Sequence, residues 1–178
     1  MATSRFFPLS DSGPNVQTPV PDDGVHHSKV DEFPNNGDTD YLNVLVEGFE
    51  VFTTSATISG SPESQIKTVD LLWATTQGVD GHNARVGIRV GGVNFWAPTR
   101  SMLPSGPTYS TFVEPFPLDP RDGSIWTIAK LAEISHLLHQ VTVIQQALPP
   151  PRFSSLTGRI VTSLAEKEWS GIAFSGKL

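Results

Sequence analysis

The chain has no cysteine, and no apolar run near the roughly 20 residues that cross a membrane as a helix. Without thiols there is no disulfide framework, no thiolate nucleophile and no cysteine-bound metal, though the compartment is left open. The first residues, MATSRFFPLSDSG, lack the continuous apolar stretch of a secretory signal, so export by that route is not expected. Cations are scarce too. Twelve Lys and Arg stand against 18 Asp and Glu, a net charge of −6, which argues against non-specific nucleic-acid binding by the whole chain. No P-loop, dinucleotide fingerprint, nucleophile elbow or HExxH pair occurs, and no internal repeat or heptad run.

Punctuation is abundant instead. Fifteen Gly and 15 Pro in 178 residues favour short strands joined by many turns over long helices. Residues 1–40 are polar and rich in Pro and Gly, and read as an extended N-terminal arm. From residue 41 strand patterns dominate. In IKTVDLLWATT, Val69, Leu71 and Trp73 share one face. In ARVGIRVGG, Val86, Ile88 and Val90 alternate with Arg85, Gly87 and Arg89, giving one buried and one wet face, and Gly91-Gly92 reads as a hairpin turn or bulge. YLNVLVEGFEVFTT, TYSTFVEPF and LHQVTVIQQAL are further strands. The convincing helix is TIAKLAEISHLL, with Thr127 as its N-cap. Strands with turn signals about every ten residues indicate an all-β fold, an antiparallel jelly roll or β-sandwich with one short helix.

Three segments follow: an arm over 1–40, a sandwich over 41–148, and a C-terminal extension over 149–178. The body to residue 149 holds 8 Lys and Arg against 16 Asp and Glu, while the remainder holds 4 against 2. A mildly basic extension is suited to docking on an acidic neighbour. SRFFPL reads as a short edge strand or an anchor onto a partner, GRIVTSL reads as a strand followed by a tail, and the C-terminal segment is expected to pack on the sandwich or on another copy. Phe6, Phe7, Ile160, Val161, Trp169 and Phe174 are therefore interface candidates. Removing 150–178 is then expected to leave the sandwich folded but to break incorporation or oligomerisation. Phe95 and Trp96 are adjacent, so on a strand one of them points outward, into an interface or onto a sugar; a bulge would turn both into the core.

The stretch PLDPRDGSIWTIAKLAEI, residues 117–134, draws attention because a tryptophan stands between a proline-stiffened turn and a helix. Together with Asp38-Thr39-Asp40-Tyr41 and the strand patterns, it resembles a group of tailed-bacteriophage virion structural proteins with a concanavalin-like jelly-roll domain. The matching residues are Asp119-Pro120, Gly123 and Trp126-Thr127, followed by the helix and HQVTVI. The likeness spans roughly residues 25–147; the longer SHLLHQ and the tail lie outside the pattern. It implies a non-enzymatic head-decoration, neck or tail component, located in the virion and made in the host cytoplasm. Its partners would be other virion proteins and copies of itself, with no nucleic acid, membrane or cofactor. The rival expectation is a receptor-binding adhesin or carbohydrate-binding module that meets a surface glycan through Trp96. Without the family, Trp126 reads as an aromatic plug closing the sandwich.

Reactive constellations are thin. Asn36, Asp38 and Asp40 have the oxygen spacing of a calcium loop, with Glu47 at its twelfth position. Tyr41 stands where such a loop turns on Gly, so the competing reading is an Asx-rich turn. His26 and His27 are adjacent and point apart in an extended segment. His136 and His139 are three apart, on one side of the expected helix, without the intervening Glu of a metalloprotease. Of the carboxylates a glycosidase would need, Glu47 and Glu50 fall on opposite faces of a strand, and Asp70 stands far off in sequence. No catalytic residue is assigned.

Overall fold

A computed structural model describes residues 2–13, 15–31, 41–44, 47–54, 65–78, 82–102, 106–144 and 152–163. The strands are β1 (Ala2–Phe6), β2 (Ser10–Asp11), β3 (Thr18–Val20), β4 (Tyr41–Asn43), β5 (Gly48–Thr53), β6 (Gln65–Gly78), β7 (His82–Val90), β8 (Val93–Trp96), β9 (Arg100–Met102), β10 (Gly106–Phe116), β11 (Ile134–Ile144) and β12 (Arg152–Ser163). The helix α1 (Ile128–Leu131) is a single turn, and His27–Lys29 form a short 3-10 turn.

The strands make two antiparallel sheets. The first runs β10-β6-β12-β4-β3, with β1 also against β12; the second runs β2-β5-β11-β7-β8, with β9 also on β7. From β4 onward the chain passes back and forth between them, except that β7, β8 and β9 follow one another in the second sheet. The inner order β4-β12-β6-β10 facing β5-β11-β7-β8 is that of a jelly roll. The protein is an antiparallel β-sandwich, with one short α-helix among the described residues.

Alternation decides which side chains are enclosed. Val69, Leu71 and Trp73 of β6 and Val86, Ile88 and Val90 of β7 join one buried cluster with Leu137, Val141, Phe153, Leu156 and Ile160. At one edge, Arg100 of β9 holds the almost buried Glu114 of β10 through two hydrogen bonds of 2.6 and 3.0 Å, tying the sheets together.

The ends of the chain differ from the expectation. The described part of the expected 1–40 arm is not an arm, because β1, β2 and β3 are strands of the two sheets. The extension does not begin outside the sandwich either. β12 lies inside the first sheet, with β6 on one side and β1 and β4 on the other. Phe6 and Ile160, expected at an interface, are 2% and 0% exposed within the chain's own core. The cause is a size match. Phe6 pairs with Gly158, and a Cβ on Gly158 would overlap the Phe6 ring. Glycine thus makes the slot that the N-terminal aromatic fills.

The helix is also shorter than its pattern. It stops at Leu131, and Ile134–Ile144 continue as a strand. The apolar residues of ISHLLHQV, Ile134, Leu137, Leu138 and Val141, keep a helical spacing, but the segment pairs with β5 on one side and β7 on the other, and that pairing outweighs the local pattern.

Candidate functional site

Three groupings of side chains rise above ordinary packing. The first is the corner between β10 and β11. Asp119, wholly buried, accepts from the Arg121 backbone N–H at 3.0 Å and from the Arg121 guanidinium at 2.7 Å. The Asp119 N–H donates to the Ser124 carbonyl, and the Gly123 N–H returns to the Asp119 carbonyl, each at 2.8 Å. Gly123 has φ +70°, the left-handed region that this tight turn needs. Arg121 also reaches Glu133 beyond α1, and Lys130 bonds Asp122 at 2.6 Å. The Arg121 hydrogen bonds hold the Asp119 carboxyl below the usual carboxylate range. Thr127 caps α1, accepting from the Lys130 N–H at 3.2 Å. Trp126 is 2% exposed, and its Nε1–H donates to the Phe116 carbonyl at 2.8 Å. Asp119 and Gly123 thus bond within the turn that Pro120 belongs to, Thr127 caps the helix that follows, and Trp126 is anchored to the end of β10.

The second grouping clasps the N-terminal segment. Glu50, with no exposed surface, accepts from the Val16 and Gln17 N–H groups at 2.8 and 2.7 Å, and meets His26 Nδ1 at 2.9 Å. Burial pushes its carboxyl above the ordinary range, against the pull of those donors. Asp11 accepts from the His26 and His27 N–H groups at 2.9 and 2.6 Å. Asp11 is thus occupied in holding the segment after β3, and Glu50 in holding that segment and the one between β2 and β3.

The third is the outer face of the second sheet, where register sets three rows. Phe49, Gln140 and Arg85 are cross-strand neighbours; so are Val51, Leu138, Gly87 and Trp96; so are Thr53, His136, Arg89 and Asn94. Phe49 and Trp96 stand on strands three spacings apart, about 14 Å. Their ring centroids are nevertheless 6.0 Å apart, with planes inclined by 26°. Both rings must therefore lie flat and reach toward each other over β11 and β7. This explains why Leu138, pointing away from the interior, is 1% exposed. Gly87 makes it feasible, since a Cβ there would stand 2.9 Å from the Trp96 ring. The Arg85 guanidinium lies 4.6 Å from the Trp96 ring centre, and its Nε–H donates to Gln140 at 2.7 Å. Arg89 donates in the same way to Asn94 at 2.7 Å. Among the described residues neither arginine meets a carboxylate, whereas Arg100, Arg121 and Arg159 all do.

The other sequence candidates are scattered. Trp96 is the outward ring of its pair, and Phe95 packs against the core. Phe7 and Val161 are half-buried. Trp169, Phe174, Asn36, Asp38 and Asp40 lie outside the described residues. His136 and His139 are on β11 rather than a helix, and so face opposite ways. His139 stacks on Phe153 inside the core, with ring centres 3.8 Å apart. Burial there drives its pKa down to about 3. His136 faces out, its pKa lowered by partial burial and by the charge of Arg89. Glu47 is exposed, Glu50 is enclosed, and Asp70 pairs with Arg159 on the other sheet, so these carboxylates do not converge. Among the described residues no group of three or more His, Asp or Glu side chains is placed to hold a metal.

Sequence reasoning missed Arg121, Lys130 and Glu133 in the corner, and Phe49, Arg85 and Gln140 on the sheet face. The corner charges were within reach, as Asp-x-Arg in a tight turn is a local signal. The sheet face was not, because it depends on which strands become neighbours.

No family model matches the chain, and no curated protein matches it. Among solved structures it is similar to the C-terminal CBM6 of LamC, a marine laminarinase from Zobellia galactanivorans. The TM-score is 0.44 at 9% identity, covering 90% of this chain and 100% of that one.

Proposed function

We propose that this chain is a non-enzymatic structural protein of a tailed-phage particle, a jelly-roll module of the head surface, neck or tail. The observation that carries the reading is the corner: the residues on which the resemblance rests stand together there, with Asp119 and Gly123 bonded within the turn, Thr127 capping the helix, and Trp126 buried and bonded to the end of β10. The same corner supports assembly. Leu118, Ile125 and Ile128 lie on it with 45%, 70% and 49% of their surface exposed, an apolar concentration suited to a protein contact. On this reading the partners are other virion proteins and copies of the chain itself, and no cofactor takes part.

The test is quantitative mass spectrometry of purified particles from the phage that encodes the chain. The expected result is a stoichiometric multi-copy component that stays with the particle through density-gradient purification. Recovery only in the free lysate fraction would overturn the proposal.

A further inference from the structure

The chain is acidic, yet the outer face of its second sheet presents two arginines with no carboxylate partner among the described residues. Arg85 and Arg89 are four residues apart on β7 and so project from the same face, about 14 Å apart along the strand. Each guanidinium is oriented by a neutral amide oxygen at Nε, from Gln140 or Asn94. In Arg85 the flat side is also used, against Trp96. What remains is the NH1/NH2 edge, the part of arginine that grips a carboxylate with two parallel hydrogen bonds. Beside it lies Phe49, 40% exposed and braced against Trp96. Both rings are fixed to strands rather than loops, so little ordering is needed on binding.

We propose that this face binds a chain of carboxylated sugars, such as a uronate- or sialate-bearing glycan. The Phe49–Trp96 pair would lie against the C–H face of a ring, and Arg85 and Arg89 would take carboxylates. The separation of the two cations exceeds one sugar ring, so the ligand is an oligosaccharide and not a monosaccharide. A protein partner fits less well. A stable protein interface needs about 800 Å² per side around an apolar centre, and here two rings stand among Arg, Gln, Asn and His. The inference does not depend on the virion reading, because particle composition and glycan binding are measured separately.

The experiment is calorimetry on the full chain with oligogalacturonate, sialyl-oligosaccharides, methyl-esterified oligogalacturonate, poly-glutamate and a single-stranded oligonucleotide. Binding to at least one carboxylated glycan is expected, weakened by salt and abolished by esterification where galacturonate is the ligand. Arg89→Gln should weaken it at least tenfold while leaving the thermal melt unchanged. Phe49→Ala should weaken it as much and also lower the melt, because its ring helps cover Leu138, so Arg89→Gln is the variant that separates binding from stability. Arg85→Lys, which keeps the charge and loses the fork, should lose part of the affinity. The proposal is overturned if no carboxylated glycan binds. It is also overturned if poly-glutamate or the oligonucleotide binds as tightly with no dependence on Phe49. A change of solution mass in Arg89→Gln would make the face an interface between copies, and that too would sink it.

Discussion

Replacing Trp126 with alanine tests the corner directly. The indole is 2% exposed, and its Nε1–H donates to the Phe116 carbonyl. A buried aromatic removes about 150–250 Å² from water. At about 25 cal/mol per Å² that corresponds to about 4–6 kcal/mol for the whole ring, of which alanine retains a small part. The lost hydrogen bond adds about 1 kcal/mol. Partial collapse of the corner offsets some of this, so a net loss of about 3–5 kcal/mol is expected, as for other buried aromatics. Trp126→Phe separates the contributions, keeping most of the ring and losing the donor; it should cost about 1–2 kcal/mol. Urea titration followed by far-UV circular dichroism avoids the change in fluorescence that removing a tryptophan brings. A loss below about 1 kcal/mol in Trp126→Ala would mean that the ring does not close the sandwich. Equal losses in the two variants would place the stabilisation in the hydrogen bond and refute the burial argument.

Gly158→Ala should destabilise the fold by more than 1 kcal/mol, because the new methyl group meets the Phe6 ring; in Phe6→Ala the same change should cost less, and additivity in a double-mutant cycle would contradict the slot. A chain ending at residue 151 should fail to fold, since it lacks Phe153, Leu156 and Ile160, whereas one ending at 163 keeps every described strand; proteolysis and circular dichroism of the two distinguish this from a dispensable extension. His139 has a folded pKa of about 3 against 6.5 unfolded, so its contribution is fully present above pH 6.5 and is lost as pH falls toward the folded value, at about 1.4 kcal/mol per unit at most. Melting curves between pH 7 and pH 4 should therefore fall less steeply for His139→Phe than for the native chain; parallel profiles would show that His139 is not the responsible group.

The parts of the fold that were legible share a local cause. Alternation in VDLLW and RVGIRV marks the inward rows of β6 and β7 because side-chain direction in a strand follows from parity alone. The Asp-Pro-x-x-Gly turn and Thr127 cap were likewise readable from the residues that form them. TIAKLAEISHLL misled because its helical spacing is also satisfied by a one-turn helix followed by a strand, and only neighbours on both sides of β11 decide between them. The ends misled for a related reason. RFF and GRIV are short apolar runs that fit a strand of the sandwich or a docking arm equally well, and only their mutual pairing, Phe6 upon Gly158, decides for the strand.

By itself the sequence determined the class of fold, the inward rows and the chemistry of the corner, since these depend on residues within a turn or strand of one another. Tertiary structure decided that β1 and β12 belong to the sandwich. It also decided that Phe49, Gln140, Arg85 and Trp96, spread over residues 49–140, make one surface. Cross-strand register between distant segments creates that surface, and register is a property of the assembled sheet.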